Sequence, residues 1–418
     1  MSKHNDNLHQ ILVASEIWKE IHKSSKLDQR DDAFLYYSIQ NLKYRLNYLS
    51  NTFNGFESLH SVAIKTNPHP YILKKISDWG YGLEAASLQE VLLAAKTGIE
   101  PQKIIYNSPV KTRNEIEYAS KKFSGLILNA NCLEELQRIP KKNNFNLGLR
   151  INPLVSGETF NLYDVSGKYS KFGVPINKTD LIFKAVKEHS ISQLHMHVGS
   201  KETDLSRPLN AIKRVVDLAG LINQSLGQKI DTINIGGGLS AGDSNSESMG
   251  FIKKYVKSIE EDVPELSSKF KIITEFGQWV HEHQGVTFSR VEYIRNFEEK
   301  AICYIHIGAD MFVRNTYAPD KELKLICLDS SGNLKEGKEK IYDIAGPLCF
   351  NGDYLSRNYK LPLLEEGDFI VIKSTGANTY GLWSRHCSRN IPALFVDQIH
   401  DSKIKKVSKS WNPFLKAD

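Results

Sequence analysis

Ser61-Val62-Ala63-Ile64-Lys65-Thr66-Asn67-Pro68 is a short β-prone run that ends on a lysine and is then broken by turn-forming residues. Burying an ammonium is costly unless it is paired or gives up its proton, and a lysine without its proton is an amine nucleophile suited to Schiff-base chemistry. The plainer alternative is a strand-end lysine that snorkels to solvent. The rest of the chain bears on the choice, because the same pattern of apolar run, polar or glycine stop and longer helical stretch recurs as far as about residue 280. The further runs are Gly82-Leu83-Glu84-Ala85, Lys103-Ile104-Ile105-Tyr106, Gly125-Leu126-Ile127-Leu128, Leu147-Gly148-Leu149-Arg150-Ile151, Gln193-Leu194-His195-Met196-His197, Thr232-Ile233-Asn234-Ile235 and Lys271-Ile272-Ile273-Thr274. Eight strands alternating with helices predict a (β/α)8 TIM-like barrel. Between them, Ser87-Leu88-Gln89-Glu90 is a capping-box pattern opening a helix that Gly98 ends.

Beyond about residue 290 the pattern changes. Short alternating runs such as Ala301–Ile305, Leu323–Cys327 and Phe369–Ile372 are separated by Asp329-Ser330-Ser331-Gly332 and Glu365-Glu366-Gly367-Asp368, which predicts an antiparallel β domain. At 418 residues the chain exceeds what one core usually serves. The expected division is an N-terminal segment over residues 1–42 that joins the β domain, the barrel over 43–288, and a β-sandwich or β-barrel domain over 289–418.

Composition excludes several classes. With 41% hydrophobic and 24% charged residues the chain is an ordinary globular protein. A net charge of +6 spread along the chain, with no basic stripe interleaved with aromatics, does not indicate nucleic-acid binding. The five cysteines are an odd number without CxxC spacing, which argues against a disulfide framework and a thiolate zinc site. His281-Glu282-His283 offers two histidines and no third ligand, so no metal is expected there. A polar N-terminus and the lack of a membrane-length apolar stretch lead to the expectation of a cytoplasmic protein with no membrane partner.

In such a barrel the chemistry lies at the C-terminal ends of the strands. Lys65 follows the first, His197-Val198-Gly199-Ser200 the sixth, Gly236-Gly237-Gly238 the seventh and Glu275-Phe276-Gly277-Gln278 the eighth. The triple glycine is either a tight turn or a bare loop whose amides ring a phosphate. Ser200 adds a hydroxyl, and Glu275 is a carboxylate able to face a protonated ring nitrogen. A lysine, a phosphate cradle and a carboxylate together describe pyridoxal 5'-phosphate.

On these motifs the chain resembles, over nearly its whole length, the fold-type III pyridoxal-phosphate decarboxylases, which include ornithine, diaminopimelate and biosynthetic arginine decarboxylases. The resemblance is carried in order by Ala63–Asn67, Gly82–Glu90, Leu149-Arg150-Ile151-Asn152-Pro153, Ser170-Lys171-Phe172-Gly173, His195–Ser200, the triple glycine, and Gly346-Pro347-Leu348-Cys349 with Asp353 after it. It implies a homodimer with shared active sites and α-decarboxylation of a small-molecule amino acid. It further implies that Lys65 holds the cofactor, His197 stacks on its ring, Glu275 keeps the ring nitrogen protonated, and Cys349 of the partner chain protonates the carbanion.

The chain also departs from the family pattern. Gln278 stands where the family has an arginine of Glu-Pro-Gly-Arg, so Gly277 and Gln278 approach the phosphate without that positive charge. Gly376-Ala377-Asn378 replaces Gly-Ala-Tyr, with Tyr380 as the substitute phosphate contact. Phe350 stands where ornithine and diaminopimelate decarboxylases resemble one another in placing an acid, and a phenyl ring supplies no full negative charge. Arg314 and Tyr317 resemble the pair with which diaminopimelate decarboxylases grip a distal carboxylate, with spacing shorter by one; the bland reading is an exposed arginine beside a structural tyrosine. The expected substrate is a functionalised or distally acidic amino acid, diaminopimelate-like or a siderophore or other specialised-metabolite intermediate, with Arg314, Tyr317, Phe350 and Asp353 around it. Two alternatives remain: an amino-acid racemase, which Glu275 and Cys349 disfavour, and a non-catalytic binding homologue.

Overall fold

The computed structural model describes residues 3–24, 27, 31–156, 163–227, 229–317, 322–398 and 401–412. It divides into two compact units, Arg45–Val280 and a second made of Met1–Tyr44 with His281–Asp418.

The first unit is the barrel. Its eight strands, Ser58–Ala63, Gly82–Ala85, Ile104–Tyr106, Ile127–Ala130, Asn146–Asn152, Gln193–His195, Thr232–Asn234 and Lys271–Glu275, pair in parallel with their sequence neighbours. The ring closes where the eighth strand pairs with the first, Glu275 opposite Ser61. All eight expected strands are therefore present, with shifted ends. The first starts at Ser58, and Ile64–Thr66 leaves it as a single 3-10 turn, so Lys65 sits just past the strand instead of closing it. The fourth starts two residues late because Gly125, at φ +83°, turns the chain first.

Local signals account for the helices. Ser87 caps Leu88–Ala95 by accepting from the Glu90 amide, but the Glu90 carboxylate reaches past Ser87 to the amide of Ala86, so the expected box closes one residue further out. A complete box forms at Thr112 and Glu115. Ile105, Ile127 and Ile273, with Leu59 against them, meet across the interior as an apolar floor. Above that floor the strands carry polar residues at their C-terminal ends.

The second unit is a nine-stranded sheet built around the long strand Gly285–Asn296. Its first half pairs with Ala33–Tyr37 and Phe369–Lys373, and its second half with Ala301–Ile305 after a register shift between Val291 and Tyr293. The sheet is mostly antiparallel, with parallel pairing of Ala33–Tyr37 to Ala393–Gln398 and of Ala301–Ile305 to Glu339–Ala345. The N-terminal segment is part of this unit: Ala14, Ile17, Trp18 and Ile21 of the helix Lys3–Lys23 pack with Phe34, Phe288, Phe369 and Phe395. Among the described residues no helix is long and apolar enough to cross a membrane.

Candidate active site

Lys65 is paired. Its Nζ lies 2.9 Å from Oε2 of Glu84, which is buried on the second strand. Desolvation works against the ammonium, but Glu84, then Glu275 and Glu90, outweighs it and holds the amine above its ordinary range. Of the two ways to keep a lysine in such a place, this protein uses pairing and not proton loss. The side chain is nonetheless half open to the barrel mouth, where a ligand can reach it.

Glu275 ends the eighth strand and is buried. Its Oε1 accepts from Asn107 Nδ2 and Asn234 Nδ2, each at 2.7 Å, while Oε2 stands 3.5 Å from His195 Nε2. Burial alone raises a carboxyl, but His195 and the amides of Asn234 and Asn107 bring Glu275 below the usual carboxylate range. Burial conversely lowers the His195 imidazole, against the pull of Glu275. Arg150, also buried, lays its guanidinium 4.3 Å from the Phe172 ring centre and is drawn down to about 10 by desolvation, against the pull of Glu275 and Glu84. Two carboxylates thus face two cations at the barrel mouth.

His197, two residues beyond the sixth strand, accepts a hydrogen bond at Nδ1 from the amide of Gly237 at 3.2 Å, which fixes the ring and leaves its neutral proton on Nε2. Burial, with Arg150 and Lys65 nearby, lowers this imidazole to about 3. The glycines are sterically required. A Cβ on Gly237 would lie 2.4 Å from the Glu275 carbonyl oxygen, one on Gly238 2.1 Å from that of Gly199, and one on Gly277 2.5 Å from Thr66 Cγ2. The expected ring of three glycine amides is only partly available, however, because Gly236 donates to Asn234 Oδ1 and Gly237 to His197. The amides of Gly238 and Gly277, with the Ser200 hydroxyl, are the donors placed to meet a phosphate, and half-buried Gln278 follows Gly277 at the same strand end.

The other expected site residues belong to the sheet unit. Cys349 and Phe350 are exposed in a loop after Glu339–Ala345. Asp353 is buried, and its carboxylate is engaged by backbone amides: its Oδ1 accepts from the Ala309 amide at 2.6 Å and its Oδ2 from the Leu348 amide at 2.7 Å. Gly308 and Gly346 are bare where a Cβ would strike those oxygens. Asp353 therefore holds the shape of the Cys349 loop, since a buried carboxylate needs every donor it has. Arg314 is half-buried on the helix Val313–Tyr317, and the side chain of Tyr317 lies outside what the structure describes. The hydroxyl of Tyr380 is raised by burial, with the Trp411 side chain as a hydrogen-bonding neighbour that opposes the shift. His281 pairs with the Tyr37 hydroxyl and His283 with that of Ser374.

Sequence reasoning assigned no role to Glu84, Asn107, Asn129, Gln193, Asn234 or His195. A signal was present: each is a polar residue within or directly after an apolar strand, and all but Gln193, which opens its strand, lie toward the end where a barrel places its site.

Pyridoxal phosphate needs an amine, an anion opposite its ring nitrogen, a flat neighbour and donors for its phosphate. Lys65, Glu275 Oε2, His197 and the Gly238, Gly277 and Ser200 donors fit those needs, and the bare glycines leave their loops able to approach closely. Residues 41–282 match the family model described as pyridoxal-dependent decarboxylase, pyridoxal binding domain. The chain is 27% identical over 384 residues to a diaminopimelate decarboxylase of Helicobacter pylori strain J99, covering 90% of this chain and 92% of that one. It is 25% identical over 391 residues to that of Aquifex aeolicus, covering 88% of each. The crystal structure of diaminopimelate decarboxylase from Helicobacter pylori complexed with L-lysine superposes with a TM-score of 0.81 at 24% identity, covering 93% of this chain and 96% of that one. This chain belongs to the pyridoxal-dependent decarboxylases and is a pyridoxal-phosphate-dependent amino-acid carboxy-lyase.

Proposed function

We propose that this protein removes the α-carboxylate of an amino acid whose far end carries a second carboxylate, as diaminopimelate does. The observation that carries the chemistry is the joining, at one barrel mouth, of paired Lys65 with a Glu275 whose Oε1 is locked by two amides. In this reading Lys65 holds the cofactor and yields it to the substrate amine. His197, kept neutral, packs against the ring and shields it from water. Glu275 presents Oε2 to the ring nitrogen and keeps a proton there. Ser200 and the amides of Gly238 and Gly277 hold the phosphate, with Gln278 beside them. Bound pyridoxal phosphate supplies the electron sink for the pair left at the α-carbon when CO2 departs.

Cys349, on the loop that Asp353 pins, is the proton donor to that carbon, acting from the partner chain of a homodimer. Arg314 supports the choice of a distal carboxylate, and the names of the relatives point the same way. Phe350, exposed at 46%, favours a second reading within the same class, a citryl- or acyl-conjugated diamino acid of siderophore biosynthesis, because a phenyl ring does not select a bare ammonium. Incubation of the purified protein and pyridoxal phosphate with a panel of such amino acids, followed by CO2 capture, tests the proposal. Release from diaminopimelate that Arg314→Ala weakens chiefly through KM is expected. Loss of optical activity without CO2 marks a racemase and overturns it, and a Lys65→Ala variant that retains the visible absorbance of the bound cofactor overturns the assignment of the lysine.

A further inference from the structure

Side chains on or directly after four different strands form one directed chain through the barrel interior. A carboxylate can only accept hydrogen bonds, so Asn107 must turn its NH2 toward Glu275 Oε1. Its Oδ1 is then an acceptor and takes a hydrogen bond from Asn129 Nδ2 at 2.7 Å; Asn129 Oδ1 in turn takes one from Gln193 Nε2 at 2.7 Å. The orientation of all three amides is thus dictated from the Glu275 end. Each amide polarises the next, and every positive end points toward the carboxylate. Asn234 adds a second donor to the same Oε1, its own Oδ1 fixed by the Gly236 amide.

The barrel makes room for this chain. The neighbouring strand carries Gly148, where a Cβ would lie 2.0 Å from Asn129 Oδ1 and 2.5 Å from Gln193 Nε2. The four amide side chains are each less than a tenth exposed, so solvent does not screen the interaction.

We propose that Gln193, Asn129 and Asn107, with Asn234, act as a positioning relay that fixes Oε1 of Glu275 and keeps the carboxylate ionised, so that Oε2 holds a proton on the cofactor's ring nitrogen without removing it. This inference rests on the pairing of Glu275 with the ring nitrogen. The charged and titratable groups that also face Glu275 are Lys65, Arg150, Glu84, His195 and His197. Lys65, Arg150 and His195 act in the same sense as the relay, His195 most strongly, and Glu84 acts against it. The relay differs from all of these in that it does not titrate, so its effect on Glu275 is constant with pH.

The test uses the full chain loaded with pyridoxal phosphate that carries the heavy nitrogen isotope in its ring, and follows the ring-nitrogen resonance as pH is raised. Asn107→Ala should lower the pH at which the ring loses its proton by about one to two units, the worth of one charge-assisted hydrogen bond. Asn129→Leu and Gln193→Leu should lower it by successively smaller amounts, and Gly148→Ala, which removes no amide, should act like Asn129→Leu. Melting of each unloaded variant reports folding separately; a residue that only packs moves that temperature and leaves the titration alone. Glu275→Gln separates the two layers of the argument. If it fails to abolish ring protonation, the pairing of Glu275 with the ring is wrong. If it abolishes protonation while the Asn107, Asn129 and Gln193 variants titrate like the parent, the pairing stands and the relay is overturned.

Discussion

Replacing Glu84 by glutamine should make Lys65 capture its cofactor faster. The carboxylate is buried and sits 2.9 Å from Lys65 Nζ, whose side chain is 57% exposed. Coulomb's law at an effective dielectric constant of ~20 gives roughly 6 kcal/mol at that distance, an upper bound. Net values for charge-assisted hydrogen bonds are ~1.5–3 kcal/mol, and exposure of the lysine moves this pair to the low end. About 1.4 kcal/mol corresponds to about one pKa unit. Lys65 is held above its ordinary range, with desolvation opposing and Glu84 the largest favourable influence, so its removal must lower the amine pKa. At any pH well below that pKa the neutral, nucleophilic fraction then rises about tenfold. Stopped-flow mixing of unloaded protein with pyridoxal phosphate, read by visible absorbance across the neutral to alkaline range, measures the capture rate. A folded Glu84→Gln variant that captures the cofactor at the parent rate, or more slowly, at every pH would refute the reasoning. The sign for stability is opposite: because the folded pKa is raised, the pair stabilises the protein below the ordinary lysine pKa and is lost as pH rises through the folded value, so the variant melts slightly lower at neutral pH.

Two further outcomes are expected. Asp353→Ala leaves the amides of Ala309 and Leu348 without their buried acceptor, which should cost about 2–4 kcal/mol in denaturant unfolding and expose the Cys349 loop to proteolysis; unchanged stability and cleavage would show the pin to be dispensable. His60 and His69 are buried and lowered from 6.5 to about 4, so the stability they contribute is present above pH 6.5 and is lost as pH falls toward 4. Melting temperatures taken through that window should fall less steeply in His60→Gln than in the parent, and parallel curves would remove His60 from the acid response.

The barrel was legible because its cause is local. Each strand is a short apolar run, each helix has its own caps, and their alternation leaves few ways to bury both. That Lys65, His197, the triple glycine and Glu275 meet at one barrel end was legible for a related reason: a barrel sorts the ends of its strands to one face. Boundaries were less legible, as at the fourth strand, where Gly125 turns the chain before pairing begins. The hydrogen bonds of Asp353 were not legible: a carboxylate near a motif cysteine suggests a ligand contact, whereas the amides of Ala309 and Leu348 that it accepts from come from two separate segments.

Sequence alone determined the barrel, the sheet domain and the pyridoxal-phosphate chemistry, since each follows from periodicity and from ordered motifs at strand ends. Tertiary structure decided the state of those residues. Whether Lys65 is a free amine or a paired ammonium depends on Glu84, 19 positions away in the chain. Whether Glu275 stays ionised depends on Asn107, 168 positions away, and on Asn234, 41 away. Each of those partners reads in the chain as a lone polar residue in or after a strand. Only closure of the ring brings them within hydrogen-bond distance, and charge inside a protein is set by what is within that distance.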